Sequence, residues 1–215
     1  MGQGRRAIIW AVGAGCLAGA ACADALGYAQ PVPSFARTVV LTPVSGRVLI
    51  HVPSGPAGFT PLSGPRVVAL GTVVDTTGGR VTLTSANPST PAGRRFQTGQ
   101  FFGGIFRVEQ AGAAAGLVNL VLRDHLKRSV CGAPVAHGAA LSRRILGLLR
   151  GIAQGRFRTT GRFSAATVRG TNWGVRDRCD GTLTLVRTGV VVVTDFVRHK
   201  TVIVRAGHTY LAGAS

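Results

Sequence analysis

At 215 residues the chain has room for one domain, or for two small ones packed together, and its 46% apolar content is enough for a real core. It carries 25 Lys and Arg against 7 Asp and Glu, a net charge of +18, with 31 glycines and 10 prolines. Long helices are disfavoured by that glycine and proline density, and chemistry built on clustered carboxylates has few residues to draw on. Two readings of the charge are open. One is a polyanionic partner: nucleic acid, anionic lipid or an acidic cell-wall polymer. The other is a GC-rich genome whose codons favour Ala, Gly, Arg and Val. Only Lys127 and Lys200 are lysines, and the arginines are scattered with no long charge run.

Residues 1–29 have the three-part form of a secretory signal. Arg5 and Arg6 precede an uncharged apolar stretch, and small residues stand at cleavage spacing in Ala23-Asp24-Ala25 and in Gly27-Tyr28-Ala29. Cleavage after Ala25 or Ala29 is expected, which gives a secreted, extracytoplasmic protein with no stable membrane span. The alternative is an uncleaved N-terminal membrane anchor, against which the Ala and Gly content argues. A lipid on Cys16 or Cys22 lacks the usual leucine three residues before. Removal of Arg5, Arg6 and Asp24 leaves 23 basic against 6 acidic side chains, +17, so the charge does not belong to the leader. It also leaves Cys131 and Cys179 as the only cysteines, an even pair that predicts a disulfide in an oxidising compartment.

After a Pro-containing lead-in, "RTVVLT", "GRVLIHV", "GTVVDTT" and "GRVTLTS" read as Val- and Thr-rich strands. Gly78-Gly79 between the last two predicts a hairpin turn. "NPSTPAG" reads as a loop, and "GGIFRVEQ" and "LVNLVLRD" as further strands. The segment "LSRRILGLLRGI" sets Ile145, Leu148, Leu149 and Ile152 at i, i+3, i+4 and i+7, which predicts a short helix over 142–152 capped by Ser142. Strands resume from Gly155, with turn signals at Asp180-Gly181, Gly189, 198–200 and Gly207. The expected fold is all-β, short antiparallel strands in a sandwich or a solenoid-like arrangement. The expected organisation is an N-terminal β module at 38–126, a connector at 127–155 and a C-terminal β module at 156–215.

In "VRGTNWGVRDRCDG" the inward parity changes between Val168 and the pair Trp173 and Val175. One extra residue in the strand accounts for that. A β-bulge is expected, with Gly170 in the left-handed conformation and Trp173 turned into the core.

Here the chain resembles the FecR domain, a β-rich extracytoplasmic module. The counterparts of its C-terminal signature are "FRTTGRFSAATVRGTNWGV", "LTLVRTGVVVVTD" and "TVIVRAGHTYLA". Gly170-Thr171 match the family's GT step, and Trp173 stands where the family has Phe. Gly189 matches the glycine before the next strand, and Ala206-Gly207 the terminal AG. "LGTVVDTTGGRVTLTSA" is similar to the family's opening hairpin. The resemblance implies a non-catalytic module that pairs with an envelope protein or polymer. FecR regulators of iron-citrate signalling carry a cytoplasmic anti-sigma segment and a membrane helix before this module. This sequence opens on the leader instead, so the sigma-factor role is not expected to carry over.

No catalytic or metal constellation stands out. His51, His125, His137, His199 and His208 are dispersed, no GxSxG elbow occurs, and neither cysteine has ligands at zinc spacing. No cofactor and no enzymatic activity are expected, an enzyme of unrecognised type being the remote alternative. Arg-aromatic interleaving in "GRFRTTGRF" fits an ordinary strand as well as a stacking surface. The expected function is binding or structural interaction in the cell envelope. The alternative is a polyanion-binding module, with Arg143, Arg144 and Arg150 as candidate contacts and a wall polymer favoured over nucleic acid.

Overall fold

Val, Ile and Thr dominate the runs between glycines, and such β-branched residues suit a pleated, half-buried surface. The computed structural model describes residues 31–88, 95–112, 116–124, 128–131 and 143–214. Residues 1–30, Ser142, His125 and His137 lie outside them. The strands are β1 (Thr38–His51), β2 (Thr60–Pro61), β3 (Arg66–Ala69), β4 (Val73–Ala86), β5 (Phe96–Phe102), β6 (Ile105–Gln110), β7 (Val118–Arg123), β8 (Ile145–Thr160), β9 (Ser164–Arg178), β10 (Gly181–Thr188), β11 (Val190–Asp195), β12 (Lys200–Arg205) and β13 (Thr209–Gly213). A single 3-10 turn, Arg128–Cys131, is the only helical element of four residues or more among the described residues.

The chain is all-β, as expected, and its strands close into a barrel with further strands joined to it. β4 pairs with β5, β5 with β8, β8 with β7, β7 with β6, and β6 returns to β4. The β7–β8 pairing is parallel, and the other pairings among the described residues are antiparallel. Strands are longer than the turn signals suggest: β8 has 16 residues and β9 has 15. Pro31–Ser215 forms one compact unit, so the segments 38–126 and 156–215 share one core. At its centre Phe101 meets Phe157, Phe106 and Trp173, with ring centroids 5.4, 5.9 and 6.1 Å away.

The helix expected at 142–152 is not formed. From Ile145 onward this segment is β8, in which Leu149, Gly151 and Ala153 point inward while Arg150, Ile152 and Gln154 face solvent. Ile152 is 43% exposed, the reverse of its place on a helical core face. The two spacings agree at Leu149, and tertiary packing decides between them. A Cβ at Gly151 would lie 2.7 Å from the Trp173 ring, so this glycine makes room for the largest core side chain. Gly78-Gly79 do not turn a hairpin either. Both lie inside β4, opposite Arg47 and Gly46 of β1, where the two long strands bend together and a Cβ at Gly79 would sit 2.6 Å from the Arg47 carbonyl oxygen.

β9 breaks at Gly170, which has φ +66°. Before the break, Ser164 to Val168 pair with β11; after it, Asn172 to Arg178 pair with β10. The bulge therefore divides one edge of β9 between two partner strands and turns Trp173 inward, where its indole N–H donates to the Thr159 hydroxyl at 3.1 Å.

Candidate functional site

Alternation along four neighbouring strands builds one outward face. Phe102 of β5 lies opposite Arg150 of β8, which lies opposite Gly174 of β9, which lies opposite Leu185 of β10. In the next row Leu148 faces Arg176, and Arg176 faces Leu183. Gly174 leaves a gap in the middle of this face. The result is a groove of about 180 Å³ whose walls carry Arg150, Arg176 and Arg187 together with Phe102, Leu148 and Leu185. Arg187 follows Leu183 and Leu185 outward by alternation, at the point where the β9–β10 register shifts between Val186 and Thr188.

Among the described residues no Asp or Glu lines this groove. Arg80 adds a fourth cation at the rim, its guanidinium carbon 4.1 Å from the Phe102 ring centre and its Nη1 donating to Gln100 Oε1 at 3.1 Å. Arg150 approaches the same ring at 6.0 Å. Phe102 thus holds two guanidinium groups by cation–π attraction. The Nε of Arg176 is buried and has no hydrogen-bond partner among the described residues. Buried polar groups are nearly always paired, and this nitrogen shares its unpaired state with Arg107 Nε, which does not line the groove.

Of the arginines expected as contacts, Arg150 lies in the groove. Arg143 and Arg144 are exposed just before β8, about 20 Å along the strand from Arg150 at roughly 3.3 Å per residue. The Arg144 carbonyl accepts the Cys179 amide at 3.1 Å. Sequence reading missed Arg80, Arg176 and Arg187. Arg176 carried a signal: with Trp173 and Val175 inward, Gly174 and Arg176 must face out together. Arg187 carried one too, since alternation along β10 sets it on the face of Leu183 and Leu185.

Cys131 and Cys179 are disulfide-bonded, with Cα atoms 5.4 Å apart. Gly170, Thr171, Gly189 and Gly207 meet where β9 divides. Thr171 Oγ1 donates to the Val190 carbonyl at 3.3 Å, the Ala206 amide to the Gly189 carbonyl at 3.0 Å, and the Gly207 amide to the Val186 carbonyl at 2.9 Å. These residues join strands and do not line the groove. His51 Nδ1 contacts the Gly58 carbonyl at 2.8 Å and His208 Nδ1 the Ala206 carbonyl at 3.0 Å, both turn contacts. Among the described residues no three His, Cys, Asp or Glu come together as a metal site, and no helix is long and apolar enough to cross a membrane.

Two carboxylates are buried elsewhere. Burial pushes the Asp177 carboxyl above its ordinary value, against the opposing hydrogen bonds from the Thr182 hydroxyl and the Arg162 amide. Burial acts on Asp195 in the same direction but is outweighed. The Arg198 and Val197 amides, the Tyr210 hydroxyl and the Arg198 guanidinium all donate to it, at 2.8, 3.0, 2.7 and 3.3 Å, and hold it below the ordinary value. Burial, and then the bond to Asp195, raise the Tyr210 hydroxyl. Neither carboxylate lines the groove.

No family model, no curated protein and no solved structure matches this chain.

Proposed function

We propose that the protein is a non-catalytic, extracytoplasmic binding module of the cell envelope, FecR-like in kind, that holds an anionic polymer in the groove between Arg150, Arg176 and Arg187. One observation carries this reading: three arginines converge on a depression that no acid lines among the described residues. Guanidinium groups gathered without counter-charge repel one another, and an oxyanion relieves the repulsion while satisfying several donors at once. The extracytoplasmic address rests on the form of the leader and on the Cys131–Cys179 bond, which suits an oxidising compartment. A wall polymer is favoured over nucleic acid because Phe102, the half-buried aromatic of the groove, already carries Arg80 against its face and offers no free platform for a base.

The test is co-sedimentation of the purified protein with purified cell wall at two salt concentrations. Neutralising about four anionic groups predicts an affinity loss of roughly 10²-fold between about 50 and 200 mM salt, by analogy with nucleic acid. Arg150→Gln, Arg176→Gln and Arg187→Gln combined should abolish low-salt binding, while Arg143→Gln with Arg144→Gln should leave most of it. Absence of low-salt binding by the wild type, or binding that survives the triple substitution, overturns the reading.

A further inference from the structure

The arginine groove has a neighbour of opposite character. Two residues along β5 take Phe102 to Gln100, and two more reach Thr98; the same steps along β8 take Arg150 to Ile152 and Gln154. Each step is about 6.7 Å, on the order of one sugar ring. A second depression of about 330 Å³ opens there, and its outward side chains are Thr82, Thr98, Gln100, Ile152 and Gln154. None of them is charged. Thr98 and Gln154 are exposed, and the oxygen of Gln100 is already taken by Arg80, which leaves its NH2 as a donor. Ile152, 43% exposed, supplies an apolar surface between the hydroxyls and amides.

The face is therefore bipartite: a cationic half running directly into a neutral half of hydroxyl, amide and one aliphatic side chain. A polymer charged at every unit does not fit it, because charges laid over the neutral half would lose water without gaining a cation. A sugar ring does fit. Its hydroxyls both donate and accept, as Thr hydroxyls and Gln amides require, and its C–H face can lie on Ile152. We infer that the ligand is a glycopolymer in which an anionic group alternates with a neutral sugar, the anion lying among Arg150, Arg176 and Arg187 and the neutral ring over Thr98, Ile152 and Gln154. This rests on the anion-binding reading of the groove and adds the chemistry of the adjoining subsite.

Three probes separate the two ideas by titration calorimetry on the full chain: hyaluronan (uronate alternating with a neutral amide sugar), inorganic polyphosphate (charge without sugar) and dextran (sugar without charge). Hyaluronan should bind at least ten-fold more tightly per anionic group than polyphosphate, and dextran not measurably. Thr98→Val with Gln154→Leu should bring hyaluronan down to the polyphosphate level and leave polyphosphate unchanged; Arg176→Gln should weaken both. Both subsite residues are exposed, so the melting temperature should not move. Equal binding of hyaluronan and polyphosphate, or a double variant that binds both like wild type, overturns the glycopolymer inference while leaving the anion groove standing. If neither polyanion binds, the groove reading falls with it.

Discussion

Asp177 and Asp195 are equally buried, at 1% and 0% exposure, yet their carboxyls are displaced in opposite directions. Asp177, near the end of β9, receives one amide, from Arg162, and one hydroxyl, from Thr182. Asp195 ends β11 and receives two amides, a phenol and a guanidinium. Burial alone therefore does not decide whether a carboxylate supports the fold; the number and charge of its donors does. Asp195 also ties the turn between β11 and β12 to β13 through Tyr210, so its charge joins the two strand pairs, β11–β12 and β10–β13, that part at Gly170.

Removing the better-supplied carboxylate should have the largest effect. Asp195→Ala orphans two amides, the Tyr210 hydroxyl and a guanidinium, and should cost about 3–5 kcal/mol in urea unfolding. If the loss stays under 1 kcal/mol, the four donors are not what holds these strand pairs together. Next comes the bond beside Asp177. Cys131→Ser with Cys179→Ser should cost about 2–5 kcal/mol in the same measurement, read against the oxidised wild type; no change on reduction removes the cross-link from the account of this corner. Smallest is Asp177→Asn, which keeps an oxygen for the Arg162 amide and removes the buried charge. It should shift stability at neutral pH by less than about 1 kcal/mol, in either direction.

The pH dependence separates the pair further. The stability tied to Asp195 is present above the unfolded-state value, about 3.9, and is lost as pH falls through its lower folded value. For Asp177 the sign reverses: its contribution is fully present below the unfolded value and is lost as pH rises through its higher folded value. Asp177→Asn should therefore flatten the decline of stability with rising pH just above the ordinary carboxyl range, and leave the acid limb in place. Unfolding free energies measured across that range check both limbs.

Much of the C-terminal architecture was readable. The parity change at Val168 to Trp173 pointed to a bulge, and Gly170 was the one nearby residue suited to φ +66°. The cysteine pair could be read because only two cysteines follow residue 29. Residues 145–152 could not, since Leu149 satisfies helical and extended spacing alike and the deciding contact, Gly151 under Trp173, lies 22 residues away in sequence. Gly78-Gly79 misled for a related reason: glycines that allow a turn also allow two long strands to cross closely. The groove was the least legible feature. Arg80, Arg150, Arg176 and Arg187 come from four separate strands, and only the sheet order brings them to one face.

The parallel pairing of β7 with β8 bears on how the molecule assembles as well as on what it binds. Hairpins such as β6–β7 and β11–β12 can zip up from their turns, but the barrel cannot close until β8 swings back beside β7 across the connection from Arg123 to Ile145. Such non-local closure is slow, because chain entropy is lost before contacts repay it. Cys131 sits in that connection, and its bond to Cys179 fastens it to the end of β9, the antiparallel partner of β8. An oxidised chain thus begins refolding with its last closure partly made. A reduced one must find it by diffusion, so the redox state of this cysteine pair sets the order and the tempo in which the barrel is completed.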